Sequence, residues 1–397
     1  MNKVITRSHV LLLAMLCLGV MHILVASFPL SAQSDSFDDA AIEQIDRILS
    51  DMVNAVPDFS GTVLIARGED VLFTRGYGYA NIEWRIPNAS DTVFRIGNLT
   101  TQFTAMAILK LQEDGLLSIN DPVCDYLPEC PESWAHIRIY HLLTHTSGLP
   151  CYTNIPDVMQ MLRFSNVETE VVNDVVSHLE PQFEPGSHFA YSYSGYHLLG
   201  EIIVNVTSMP YAAYLEETFF DPLDLQHTQL EDNNVIIPHH ADGYITPDTR
   251  ANYLNMQVPY SAGGMVSTVG DLFRWQHALF TGQVVDAALI DEMWAHEVDT
   301  GRGYAYGYGL AHTPYDTPIG PIDAYVQGGN INGFSGATAY LPDLDMTFVV
   351  LTNRENSIKS QVITTMMNIM IEAWAPAAPA PPINPITRQD MAALQNP

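Results

Sequence analysis

His141-Leu142-Leu143-Thr144-His145-Thr146-Ser147-Gly148-Leu149 is the most informative stretch of this 397-residue chain. Its two histidines stand four residues apart, a spacing with which one helical turn can offer two imidazoles to a metal ion. They enclose Leu-Leu-Thr without the glutamate that a zinc hydrolase needs, so the run is not read as a metal centre. On either side, from about 130 to 300, short helical stretches alternate with Pro and Gly turns. The regular patterns lie toward the two chain ends.

Between Asp38 and Val56 the residues Ile42, Ile45, Ile48, Leu49, Met52 and Val53 recur at helical spacing after an acidic start. Gly61 to Ala66 and Val71 to Thr74 are β-rich and flank Arg67-Gly68-Glu69-Asp70, the pattern of a hairpin. A helix is expected from Thr101 to Asp114, stopped by Gly115. Near the end, Ala337 to Leu341 and Met346 to Leu351 form a strand pair across Pro342-Asp343. A closing helix from Ser360 to Trp374 and an Ala/Pro-rich tail from Ala375 follow. Strands at both ends imply an α+β fold. One antiparallel sheet is built from the two chain ends and covered by helices, with a helical middle region.

Sixteen Lys and Arg against 45 Asp and Glu give a formal charge of −29, which repels phosphate backbones and argues against nucleic acid as a partner. Lys3 and Arg7 precede an apolar run from Val10 to Leu30, and Leu30-Ser31-Ala32 offers a cleavage site. Residues 1–34 therefore read as a signal peptide of an exported, periplasmic or secreted protein. The alternative is an N-terminal anchor, which would make a membrane relevant. The domain proper is expected over 35–374 and the tail over 375–397. Cys124 and Cys130 close a short loop and suit a disulfide in an oxidising compartment, with free thiols the alternative. No cofactor and no metal is expected; His239-His240 with Asp242 is the other metal candidate, and a solvated loop is preferred for it.

The run 141–149 resembles serine β-lactamases and penicillin-binding proteins, especially the class C and esterase branch. So do Phe94-Arg95-Ile96-Gly97 before Phe103, Tyr191-Ser192 with Gly195-Tyr196, Ala262-Gly263-Gly264-Met265, and Gly328-Gly329 followed by Gly333-Phe334-Ser335-Gly336. The resemblance runs in family order from about residue 40 to 373 and implies the β-lactamase/transpeptidase-like fold. It also implies a serine at a helix start with a lysine three residues on as its proton acceptor, a Tyr-x-Asn motif, and a cation-small-Gly motif on a strand edge.

At those positions stand Asn98 and Thr101, Tyr191 with Tyr193 in place of asparagine, and Gln327-Gly328-Gly329. The check that needs no alignment is lysine position. The only lysines are Lys3, Lys110 and Lys359, and Ala107 and Asn356 stand three residues before the last two, so no Ser-x-x-Lys exists. A tyrosine, with an unperturbed pKa near 10, needs adjacent cations to become a base near neutrality, so Tyr191 is expected to stay protonated. The expectation is a catalytically inactive pseudo-hydrolase. Its former cleft, lined by Asn98, Thr101, Tyr191, Tyr193, Gln327, Gly328 and Gly329, would hold a neutral small-molecule or peptide ligand, since no cation remains for a carboxylate. Asn98 is further expected to cap its helix. Ser335, one residue short of a nucleophile elbow, is expected in a loop. The alternatives are an active serine hydrolase of esterase, β-lactamase or D-amino-acid peptidase type with a relocated nucleophile, and a structural envelope protein.

Overall fold

The computed structural model describes residues 31–55, 59–128, 130–155, 158–160, 169–317, 320–355 and 357–374. The apolar N-terminal run to Leu30 and the tail from Ala375 lie outside the described residues. The first helix, α1, spans Ser31–Ala55, starting earlier than the apolar spacing indicates.

Strands β1 (Gly61–Arg67) and β2 (Asp70–Tyr77) form the expected hairpin, with Gly68 supplying the positive φ of the turn. Helices α2 (Thr100–Glu113), α3 (Tyr193–Thr207), α4 (Val269–Phe280) and α5 (Ala287–Ala295) follow. The chain then returns to the sheet as β3 (Val298–Asp299), β4 (Ala305–Gly307), β5 (Leu310–Thr317), β6 (Gly320–Ile331), β7 (Phe334–Leu341) and β8 (Met346–Thr352). Helix α6 (Lys359–Trp374) closes the chain.

The strands order as β3-β4-β5-β6-β7-β8-β1-β2, so β1 from the N-terminal end pairs with β8 from the C-terminal end. The sheet is thus built from both ends, as the sequence implies. Alternation along β1 divides the core. Val63 and Ile65 meet Ile45, Leu49, Phe348 and Met370 under α1 and α6, while Leu64 and Ala66 share the opposite core with Phe103, Trp275 and Val349. Because helices cover both faces, β1 and β8 read as nearly unbroken apolar runs.

Helix α2 is buried on every side from Thr100 to Leu109, so its polar residues must find partners inside the protein. Gln102 Oε1 accepts from Trp275 Nε1 at 3.2 Å and from Gln276 Nε2 at 2.5 Å. Thr104 donates to Ser261 O at 2.6 Å. The Phe103 ring stacks on Trp275 at 4.1 Å. The buried α2 start is fixed by a three-stranded ribbon in which Phe94–Arg95 and Gln229–Leu230 both pair with Met265–Ser267.

Ser335 departs from its expected loop. The positive φ of Gly333 reverses the chain early, so Ser335 already lies in β7, buried and hydrogen-bonded to Arg354 O at 3.0 Å and Ser357 Oγ at 2.7 Å. Cys124 and Cys130 are disulfide-bonded and Cys151 is a buried free thiol. The bridge restricts the unfolded chain over a short loop, so Cys130→Ser is expected to lower stability by about 2 kcal/mol in urea unfolding. An unchanged midpoint would refute this.

Candidate functional site

The fold gathers Asn98, Thr101, Tyr191, Tyr193, Gln327, Gly328 and Gly329 at one place. Asn98 lies in the 3₁₀ turn Gly97–Leu99 that enters α2, Tyr193 opens α3, and Gln327 to Gly329 lie on β6. Pairing of β6 with β5 ends at Val326 opposite Ala311, so the next residues of β6 are bonded only to β7 and form an edge facing the turn. Two glycines allow the contact. A Cβ on Gly97 would fall 2.7 Å from Asn330 O, and one on Gly329 would fall 2.0 Å from Ile96 O.

The Asn98 side chain does not cap α2. The cap position is Leu99, one residue further on, which leaves the Asn98 carboxamide for the tyrosines. Its Nδ2 donates to Tyr191 Oη at 2.8 Å and Tyr193 Oη at 3.0 Å. Its Oδ1 accepts from the Tyr193 hydroxyl at 3.3 Å and from the Asn330 N–H at 3.4 Å. The Thr101 hydroxyl donates to Asn98 O at 2.8 Å, and Gln327 Nε2 lies 3.4 Å from both that carbonyl and Thr101 Oγ1. Asn98, Thr101 and Gln327 are buried, and the two tyrosines are half-buried.

The phenols and the imidazole at this point are held neutral. Burial raises Tyr191 well above the ordinary phenol, with Tyr306 and Tyr193 adding to it, and pushes Tyr193 up to about 12. Burial also lowers His145 to about 3. His145 Nδ1 accepts from the Ser192 N–H at 3.2 Å, which assigns its proton to Nε2, 3.2 Å from Tyr306 Oη. Tyr306 in turn hydrogen-bonds Thr101. A site without any cation is nevertheless corrected. The buried Lys359 ammonium reaches β6 from α6, donating to Gly329 O at 2.6 Å and Asn330 Oδ1 at 2.7 Å. Burial lowers its pKa to about 7.

A family model described as Beta-lactamase matches residues 49–366. The chain belongs to the beta-lactamase family. It is 30% identical over 320 residues to penicillin-binding protein 4* of Bacillus subtilis, covering 75% of this chain and 68% of that protein. Protein flp of Staphylococcus aureus (strain MRSA252) is 32% identical over 243 residues, or 59% of this chain, which spans about half (48%) of flp. The structure of D-amino acid amidase from Ochrobactrum anthropi SV3 with D-phenylalanine superimposes with a TM-score of 0.74 at 23% identity, covering 85% of this chain and 99% of that one. That last likeness concerns the fold.

Beside the β6–β7 turn, this family member has a cleft of about 330 Å³, lined among others by Arg95, Glu231, His240, Arg250, Tyr253 and Phe334; the expected lining from Asn98 to Gly329 gathers next to this cleft and does not line it. Arg95 grips Glu231 bidentately, Nε to Oε2 at 2.7 Å and Nη2 to Oε1 at 2.6 Å, and its guanidinium lies 5.7 Å from the Phe334 ring centre. Burial pushes the Glu231 carboxyl up, but His240 and Arg95 outweigh it and hold the group at about 2. Arg250 is bonded to Asp242 at 3.0 Å and 3.1 Å and to Glu83 at 2.9 Å. Arg95 and Arg250 are thus both paired, while Asp232 is bonded to Asn234 rather than to a cation, so the cleft is polar with no cation left unpaired. Sequence reasoning missed the Arg95–Glu231 pair because its partners lie 136 positions apart in no shared motif.

The histidine pairs do not converge on a point. His141 Nδ1 accepts from the Arg138 N–H at 3.0 Å, whereas His145 faces Tyr306. His239 pairs with Asp91 at 2.9 Å while His240 turns toward Glu231. Among the described residues, no group of three potential ligands could hold a metal ion, and no helix is long and apolar enough to cross a membrane.

Proposed function

We propose that this chain is an exported, non-hydrolytic member of the beta-lactamase family that binds a neutral, hydrogen-bonding ligand in the cleft beside β6 and β7. One observation carries the reading. Where the family resemblance puts a nucleophile stands the Asn98 carboxamide, with both its nitrogen and its oxygen engaged by Tyr191, Tyr193 and Asn330. Thr101, at the position of the family base, is a neutral hydroxyl committed to Asn98 O. Attack on a carbonyl needs an oxygen and a group able to take its proton; the neutral phenols and His145 do not supply that pair, and Lys359 Nζ is committed to Gly329 O and Asn330 Oδ1. The cleft beside it, lined by carboxamides, the exposed Tyr253 and two arginines already held by carboxylates, offers no free cation to an anion and suits a neutral polar ligand.

The rival is an active serine hydrolase of amidase or esterase type, which the likeness to D-amino acid amidase keeps in view. Incubation with penicillin or a fluorophosphonate, followed by intact-mass measurement, separates the two. No adduct is expected. A stoichiometric adduct that vanishes on heat denaturation before labelling would establish the rival.

A further inference from the structure

We propose that His312 is a proton-operated clasp that fixes the short edge strands of the sheet, and with them Tyr306, against the Asn98 site. Strands β3 and β4 are only two and three residues long, and few ladder bonds hold them to β5. His312 on β5 lies opposite Ala305 of β4, the residue before Tyr306. Its Nδ1 is 2.9 Å from Oε2 of Glu297, immediately before β3, and its Nε2 is 3.1 Å from Oδ1 of Asp323 on β6. The imidazole therefore bridges two carboxylates across β4, tying the start of β3 to the interior of the sheet.

The bridge requires a proton. A neutral imidazole has one N–H and one lone pair, so one of the two carboxylates would face a lone pair; only the imidazolium donates to both. The other elements packed around the ring contribute Tyr325 of β6, stacked at 5.0 Å, Trp294 of α5 at 5.9 Å, and Ala305 of β4. Burial alone would lower the His312 pKa, but Asp323 and Glu297 together prevail and raise it. The clasp is closed below that raised pKa and opens as pH rises through it.

Its consequence reaches the site through β4. Tyr306 pairs with Val298 and Ala311 in the ladder and extends its hydroxyl to His145, 3.2 Å away, and to Thr101. Loosening β3 and β4 therefore loosens the aromatic wall behind Asn98 and Tyr191.

Two measurements on the intact protein test this. An NMR titration of the His312 ring should place its midpoint above the ordinary histidine value of about 6.5, and Glu297→Gln should lower that midpoint. Hydrogen exchange, corrected for intrinsic rates, should show protection at 305–307 falling about threefold across the midpoint, the size expected of a partly exposed ion pair. In His312→Gln that step should be absent. A midpoint at or below the ordinary value overturns the clasp, as does protection at 305–307 that shows no step in the wild type or the same step in His312→Gln. The wild-type titration and Glu297→Gln decide the matter even if His312→Gln fails to fold.

Discussion

Glu231→Ala is expected to destabilise the protein by about 3–5 kcal/mol, because it leaves the Arg95 guanidinium buried without its carboxylate. Both partners are largely buried, at 13% and 6% side-chain exposure, and the pair is bidentate, so solvent screens little of the loss. Arg95 also belongs to the ribbon strand Phe94–Arg95, directly before the turn that holds Asn98. An unpaired guanidinium there would pull toward water and displace that turn. The pH dependence has a defined sign. Burial raises the Glu231 carboxyl, His240 and Arg95 lower it by more, and the folded value of about 2 lies below the ordinary 4.5. Its contribution is therefore fully present above about 4.5 and is lost as pH falls toward 2. Denaturant unfolding at neutral and acidic pH checks both statements. A loss under about 1 kcal/mol at neutral pH would class the pair with ordinary surface ion pairs and refute the argument.

What the sequence made legible was whatever rests on local pattern. The hairpin around Gly68, the strand pair across Pro342, and the helix starting near Thr101 each follow from period, turn residue and stop signal within a dozen positions. Asn98, Thr101, Tyr191, Tyr193 and Gln327 were assembled from the family resemblance, and the fold does bring them together. Their bonding was not legible. Asn98 is a good cap by composition, but the 3₁₀ turn moves the cap position one residue on to Leu99, and only the meeting of α2 with α3 offers two phenols to its carboxamide. Tyr306, Lys359 and the Arg95–Glu231 pair were invisible for a related reason. Each acquires its partner through sheet order or helix docking, and nothing within reach in sequence marks the pairing. Ser335 shows the reverse error, where a glycine-rich run suggests a loop but the ladder with β6 and β8 makes a strand.

Lys359→Met is expected to flatten the dependence of stability on pH between about 7 and 10, and the reason lies in what α6 does with its first residue. The ammonium has left water for a place behind β6, where its partners are the Gly329 carbonyl and the Asn330 carboxamide oxygen, both neutral. Burial penalises the charge and lowers the pKa from 10.5 to about 7. In that interval the unfolded chain holds a proton that the folded chain has released, so wild-type stability should climb by about 1 kcal/mol per pH unit, on the order of 3–5 kcal/mol in all. Below the folded value both states carry the proton and the contribution is level. Methionine fills similar space without the charge and abolishes the climb, while leaving two acceptors unpaired at a cost of about 1–3 kcal/mol each. The offset between the two proteins thus mixes opposing effects, and the difference in slope isolates the lysine. Urea unfolding of both proteins at matched pH values measures it. Equal slopes would mean that the ammonium keeps its ordinary affinity for the proton, and hence that water reaches it past a β6 edge less tightly closed than its bonds to Gly329 and Asn330 indicate.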